Sequence, residues 1–367
     1  MSMFTRLYRG ETRINFIGSR KRWYLASAVI VTVCILSFIL RGFNYGVEFK
    51  GGSTFQFATA KSSISTAQFN TAFIDAGVTP AEAPQVVGSG SNRQVIVNTV
   101  TLDPERETKL RAAVTKSLGI DQNTVSVNII GSQWGHDTTI KALEGLIIFL
   151  VLVSIYISFR FQWRMAVGGM VALLHDLVVA AGVYSLVGFQ VTPSTIVGLL
   201  TILGFSLYDT VVVYDKVSEN SKNILAGARM TYSEAANLAV NQTLMRSINT
   251  SLIALLPVAG LLFVGVGVLG VGTIEDLALI LFVGLATGAY SSLFLATPVV
   301  VDLTEHTSEY RALAKRVASR RAREAQREEQ DKLLVAAGQA PRTATRRAGG
   351  PAPAPKPGSR PNRPRRR

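Results

Sequence analysis

The residues of this chain that could do chemistry are a few polar side chains in apolar surroundings: His175, Asp176, Asp209, Arg246 and Asn249. Asp209 is the sharpest case. It sits in LGFSLYDTVVVYDKVSEN, residues 203–220, within an apolar stretch running from about Pro193 to Tyr214. An ionisable group at membrane depth costs on the order of 2.5–3.5 kcal/mol even on a lenient insertion scale. Two readings are open: Asp209 lies close enough to an interface to stay hydrated, or it titrates on an ion pathway. Asp215, Lys216 and Glu219 mark the return to water. At about 1.5 Å per residue, Asp209 lies roughly 9 Å inside Asp215, and His175 roughly 15 Å inside the end of its own segment. Arg246 and Asn249 straddle the start of another. If the three segments pack together, an acid, a histidine and an arginine share one cavity. Moving Arg246 relative to Asp209 would then load and release a proton, because burial and a neighbouring cation act oppositely on an acid. The alternatives are a structural salt bridge and a satisfied His175–Asp176 core pair. A single histidine without a second ligand at helical spacing argues against a metal. No nucleophile–base pair occurs, so no catalytic residue, no cofactor and no enzymatic activity are expected.

The segments that carry these residues read as membrane spans. Of 367 residues, 48% are hydrophobic, a membrane composition rather than a soluble one. Cys34 is the single cysteine, so no intramolecular disulfide framework exists. Residues 1–22 are polar and basic. Trp23–Arg41 reads as a retained first span rather than a cleaved leader, because no small-residue cleavage site follows the apolar run. Five more spans follow within residues 139–302: Ile140–Phe159, Met165–Gly188, Pro193–Tyr214, Ser247–Val268 and Leu277–Val301. Residues 215–246 form a polar loop, in which Thr231 and Glu234 make a capping box ahead of an amphipathic helix. An uncharged hairpin, Phe189–Ser194, joins spans three and four, and a glycine-rich turn, Gly265–Thr273, follows span five. Basic residues gather at Arg160 and Arg164, between Lys216 and Arg246, and in the tail. The positive-inside rule therefore places both termini in the cytoplasm.

Between the first two spans lies a polar segment, residues 42–138, with 7 Lys/Arg and 8 Asp/Glu. Its lack of positive excess suits the outer side. Thr54–Ala58 alternates with Phe55 and Phe57 on one face. Ser65 caps a helix bearing Phe69, Ala72, Phe73 and Ala76, which ends at Gly77. Gln85–Val87 and Gln94–Asn98 read as strands around the turn at 88–92. Asp103-Pro104 opens a second helix with Leu110, Val114 and Leu118, and Val125, Val127 and Ile129 alternate in a last strand. That β-α-β-β-α-β order predicts a ferredoxin-like α+β domain. A docking surface, a moving lever and a plain spacer are its open uses.

Residues 303–367 form the basic tail. From Arg311 to Arg367 there are 17 Lys/Arg and 4 Asp/Glu, most of the whole-chain net charge of +14. A charged helix, Ser308–Ala337, precedes Pro/Arg/Ala-rich sequence that cannot bury a core. The tail is either solvated or drawn to anionic lipid or RNA. No aromatic follows Tyr310, so no specific nucleic-acid partner is expected.

The segment GFSLYDTVVVYDKVSEN, residues 204–220, resembles the fourth-span signature of the SecF protein-export family and, less closely, that of its partner family SecD. Three further stretches agree in order and spacing: GVEFKGGS at 46–53, QTLMRSINTS at 242–251 and GLATGAYSSLFLATP at 284–298. The resemblance covers about Trp23–Asp302. The motif positions are Gly46, Glu48, Phe49, Gly51, Gly52, Asp215, Glu219 and Asn220. Glu48 stands for the family's usual Asp, and Tyr214 and Lys216 stand for Phe and Arg. The resemblance implies a six-span half of an RND-type transporter in the bacterial cytoplasmic membrane. It implies pairing with SecD beside the SecYEG channel and SecA, and late-stage preprotein export driven by the proton-motive force. The family's transmembrane Asp falls on Asp209 and its span-five Arg on Arg246. An RND-like exporter of small molecules or lipids is the alternative, disfavoured by the small external domain and the single six-span half.

Overall fold

A computed structural model of the chain describes residues 14–59, 64–81, 83–87, 93–266 and 275–336. The turn at 88–92, most of the glycine-rich turn, the first thirteen residues and the end of the tail lie outside the described residues. Among those described, six helices are long and apolar enough to cross a membrane. They are α1 (Arg20–Arg41), α5 (Ser132–Arg160), α6 (Trp163–Val187), α7 (Pro193–Ser221), α9 (Tyr232–Gly260) and a sixth span built from α10 (Glu275–Ser291) and α11 (Thr297–Glu305). A π-helical turn, Ser292–Ala296, joins the last two. Another, Leu261–Val266, extends α9 beyond Pro257. Spans three, four and six are the most buried, and spans one, two and five form the outer layer.

The expected polar loop at 215–246 is mostly helix. Helix α7 continues to Ser221, and α9 begins at Tyr232 with the anticipated capping box: Glu234 N donates to Thr231 Oγ1, and Thr231 N to Glu234 Oε2. A one-turn helix, α8 (Ile224–Gly227), fills the connection. The charged helix is α12 (Ser308–Ala336); Leu313 and Val317 bury against Ile224 and Ala235, and Arg321 grips Glu234 through two nitrogens at 2.7 and 2.8 Å. Near the start of span one, the backbone of Ile14–Ile17 is held by Asn237 and Asn241, which pins Phe16 and Ile17 into the core.

The segment between spans one and two follows the expected order. After β1 (Asn44–Tyr45) and the one-turn α2 (Val47–Lys50) come β2 (Gly52–Ala58), α3 (Thr66–Asp75), β3 (Gln85–Val87), β4 (Gln94–Thr99), α4 (Pro104–Leu118) and β5 (Val125–Ile130). The sheet runs β3-β4-β2-β5, with every neighbouring pair antiparallel. The first strand lies centrally because Phe55 and Phe57, both fully buried, anchor the layer between sheet and helices with Phe69, Phe73, Val95, Val97, Leu110 and Val114. Ser65 and Gln68 cap α3 reciprocally at 3.3 and 2.8 Å. Gly77 and Gly119 end the two helices with positive φ, a conformation in which a Cβ is strained.

The last strand, β6 (Gln190–Val191), sits in the hairpin between spans three and four and pairs in parallel with β1. The external segment is thereby tied back onto the bundle.

Candidate functional site

Spans three, four and six meet at close range because small residues let them. A Cβ on Gly284 would lie 2.2 Å from Ile202 Cδ1, and one on Gly288 would lie 3.0 Å from Ser206 Cβ. A small residue every fourth position along span six thus presses its backbone onto every fourth residue of span four, a close approach typical of membrane helices. The next turn of this seam brings Ser292 against Asp209.

Two buried carboxylates result, each held by two hydroxyls. Asp209 Oδ1 accepts from Ser247 Oγ at 2.6 Å, and its Oδ2 accepts from Ser292 Oγ at 2.5 Å. Asp176 Oδ2 accepts from Ser206 Oγ at 2.6 Å and from Ser291 Oγ at 2.7 Å. All four serines are buried, as are Asp176 and Asp209, 1% and 8% exposed. Helical geometry explains the distribution. Ser206 and Asp209 are one turn apart on α7, so they share a face. Adjacent residues differ by about 100°, so Ser291 reaches toward span three while Ser292 reaches toward span four. Ser292 also opens the π-turn, and such turns recur at functional sites.

His175 Nδ1 lies 3.2 Å from Asp176 Oδ1. Its Nε2 is buried and has no hydrogen-bond partner among the described residues. The ring sits 6.0 Å, centroid to centroid, from that of Tyr290, whose hydroxyl donates to the Trp23 carbonyl and lies 3.1 Å from Ser27 Oγ. Three consecutive residues of span six therefore serve three different spans: Tyr290 meets span one, Ser291 span three and Ser292 span four.

The shared cavity anticipated for Asp209, His175 and Arg246 takes a different form. Asp209 and the His175–Asp176 pair are tied to adjacent serines of span six, Asp209 to Ser292 and Asp176 to Ser291. Arg246 points elsewhere: its guanidinium donates to Tyr208 Oη at 3.3 Å on the exposed side of α7 and α9. Asn249 is exposed as well. The reason is again the helical step. Ser247 takes the inward position on α9, and its neighbour Arg246 must then face outward. Among the described residues Asp209 has no ion pair. Ser206, Ser247, Ser291 and Ser292 are absent from the residues selected by sequence. Their only signal is position: Ser206 is one turn from Asp209, and a Ser-Ser pair stands inside the GLATGAYSSLFLATP stretch.

The motif GVEFKGGS builds the junction of span one, the external segment and span two. Gly46 N donates to the Val191 carbonyl at 3.0 Å. Gly51 ends α2 at φ +76°. A Cβ on Gly52 would lie 2.5 Å from the Thr99 carbonyl, so only glycine lets β2 begin there. The Phe49 carbonyl packs against Gly135 at the start of span two. Glu48 is half-buried beside Gly46. At the other end of the bundle Asp215 pairs with Arg160 at 2.9 Å, Glu219 with Lys216 at 2.9 Å, and Asn220 donates to Gln242 at 3.0 Å. The first and third contacts join the polar ends of spans two, four and five, and the second lies within span four, all away from the buried carboxylates.

The arrangement buries two carboxylates, each accepting from two hydroxyls, and among the described residues neither pairs with a lysine or arginine.

Comparison with known proteins places this architecture. The family described as protein export membrane protein SecD/SecF, C-terminal, matches residues 110–306, and the SecD/SecF GG motif matches residues 36–62. The protein translocase subunit SecF of Streptomyces coelicolor is 47% identical over 318 residues, covering 86% of this chain and 84% of that protein. The SecF subunit of Mycobacterium tuberculosis strain H37Rv is 44% identical over 327 residues, covering 87% and 74%. The crystal structure of SecDF from Thermus thermophilus, titled a translocon-associated membrane protein, superposes with a TM-score of 0.69 at 29% identity. It covers 81% of this chain, which spans only 39% of that longer one. The chain is thus an integral, multi-pass membrane protein, and it belongs to the SecD/SecF family of protein-export membrane proteins.

Proposed function

We propose that this chain is the SecF-type half of a SecD–SecF pair in the bacterial cytoplasmic membrane, with both termini in the cytoplasm. It uses the proton-motive force to promote late-stage preprotein export beside the SecYEG channel and SecA. The observation that carries this reading is the pair of buried carboxylates, Asp209 and Asp176, held among the described residues by hydroxyls and one histidine. A scaffold has no need of two acids at membrane depth, whose insertion costs on the order of 2.5–3.5 kcal/mol each. Asp209 is the proton carrier, and Asp176 with His175 forms the second station. Arg246 belongs to the same relay through Tyr208, the residue adjacent to Asp209, and enters contact with the acid only when α7 and α9 move.

Residues 42–138, the last seven of which already belong to α5, form an extracytoplasmic, ferredoxin-like domain that holds or pulls the emerging preprotein. The element order and the central first strand support that class. The β1–β6 ladder gives it a mechanical link to spans three and four, where the carboxylates lie. The Thermus relative named SecDF, 31% identical over 300 residues, supports SecD as the partner. The basic tail interacts with anionic lipid at the cytoplasmic face.

The test is Asp209→Asn, assayed as preprotein release to the outer compartment with and without a proton gradient. Assembly with SecD should survive and the gradient-dependent fraction of release should vanish. Undiminished gradient-dependent release in that variant would remove the proton relay from this chain.

A further inference from the structure

Ser291 and Ser292 have a property that Ser206 and Ser247 lack. Ser291 Oγ lies 3.3 Å from the Gly288 carbonyl as well as 2.7 Å from Asp176. Ser292 Oγ lies 3.3 Å from the Ala289 carbonyl as well as 2.5 Å from Asp209. Each hydroxyl therefore has two acceptors, a carboxylate across the helix interface and a carbonyl three residues back on its own helix. Among the described residues Ser206 and Ser247 have no second acceptor for their hydroxyls. Each buried acid is thus held by one fixed donor, from span four or five, and one donor with an alternative, from span six.

We propose that Ser291 and Ser292 are hydroxyl switches, positioning residues that let Asp176 and Asp209 exist in either protonation state without leaving a buried donor or acceptor unpaired. This rests on the reading of the two acids as proton carriers. With Asp209 ionised, the Ser292 O–H donates to the carboxylate across the 2.5 Å contact. When Asp209 takes up one proton, its Oδ2–H becomes the donor and Ser292 Oγ the acceptor. The Ser292 hydroxyl hydrogen rotates to the Ala289 carbonyl. Nothing but the added proton changes hands, and no bond of the chain breaks. Ser291, Asp176 and the Gly288 carbonyl do the same. A serine hydroxyl has one proton and two lone pairs, so it fills both roles in one place. An unpaired buried donor would otherwise oppose one of the two states. The carbonyls concerned belong to the last α-helical turn before the π-turn, where the helix changes its hydrogen-bond pattern. Loading the acid therefore alters hydrogen bonding on span six at its least regular point.

The titratable and charged groups that face Asp209 are few. Span three carries His175 and Asp176, span five carries Arg246, turned outward to Tyr208, and span six carries Tyr290, turned to span one; among the described residues none of them hydrogen-bonds to Asp209. On its own helix Asp215 is bound to Arg160 of span two.

The test uses the full chain assembled with SecD in lipid bilayers and infrared difference spectra between two pH values. The carboxylic C=O band of protonated Asp209 is assigned by its loss in Asp209→Asn, and that of Asp176 by its loss in Asp176→Asn. In Ser292→Ala the Asp209 band should move to higher frequency, because its O–H has lost its acceptor. The pH midpoint of that band should move by about one unit, tenfold in the protonation equilibrium. The Asp176 band should stay, which shows that the variant is folded, and Ser292→Thr should restore the Asp209 band. Ser291→Ala should do the converse. The proposal is overturned if the Asp209 band and midpoint are unmoved in Ser292→Ala, or if Asp209 shows no carboxylic band at any pH the bilayer tolerates. If the band moves as described while Asp209→Asn exports normally, the switch stands and the proton-driven export reading fails.

Discussion

A methyl group on Gly284 should separate span six from span four, and its effect can be worked out from the contact it breaks. A Cβ there lies 2.2, 2.4 and 2.6 Å from the Cδ1, Cγ2 and Cγ1 atoms of Ile202, which is 2% exposed and fully enclosed. Ordinary contact begins near 3.4 Å, so one partner must move by about 1 Å, and overpacking of this kind costs about 1–3 kcal/mol. Ile202→Ala, alone, removes three carbons from a tight site and costs about 2–5 kcal/mol. Combined, the two changes fit together, because the space vacated by Ile202 is the space the new methyl needs. Gly284→Ala/Ile202→Ala should therefore lose less than the sum of the single variants, with a coupling of about 0.5–3 kcal/mol. The assay is unfolding of the purified chain in mixed micelles by titration with a denaturing detergent, for both single variants and the pair. Gradient-dependent release should follow the same order, since Ser292 stands two turns further along the same seam and reaches Asp209 only while the helices touch. Additive losses, within about 0.5 kcal/mol, would mean that the helix contact is not the source of the cost, and the close-packing argument for the site would fall.

Two further outcomes are expected. Phe73→Ala should cost the external segment about 3–5 kcal/mol, because Phe73 is fully buried against the rings of Phe55 and Phe57. Proteolysis of the full chain should then cut within residues 42–131 at protease levels that spare the wild type, and equal resistance would refute the proposed core. Arg246→Met should fold and assemble, since its guanidinium is exposed and, among the described residues, bonds only to Tyr208, yet lose gradient-dependent release as Asp209→Asn does. Normal release would remove Arg246 from the proposed relay.

Much of the architecture was legible in the residues because it depends on local rules. The six apolar runs needed only length and hydropathy. The external segment announced its order through alternation at Thr54–Ala58, the Ser65–Gln68 cap and the glycines at 77 and 119, each a matter of a few neighbouring residues. The reading failed where helices continue past the apolar run. Asp215–Ser221 stays helical because Asn220 and Asp215 find partners on α9 and α5, and no window of sequence contains those partners.

The carboxylates divide in the same way. The sequence by itself determined that Asp176 and Asp209 would be costly, since burying an acid in an apolar run is a property of the run. The tertiary structure alone decided what holds them. Arg246 was the evident cation, but a rotation of about 100° between adjacent helical residues gives the inward place to Ser247 instead. The hydroxyls of Ser291 and Ser292 lie 115 and 83 residues from the acids they meet, and their approach depends on Gly284 and Gly288 letting two helices touch. Polarity is written in residue type, whereas pairing is set by the rotation and spacing of whole helices, which only packing fixes.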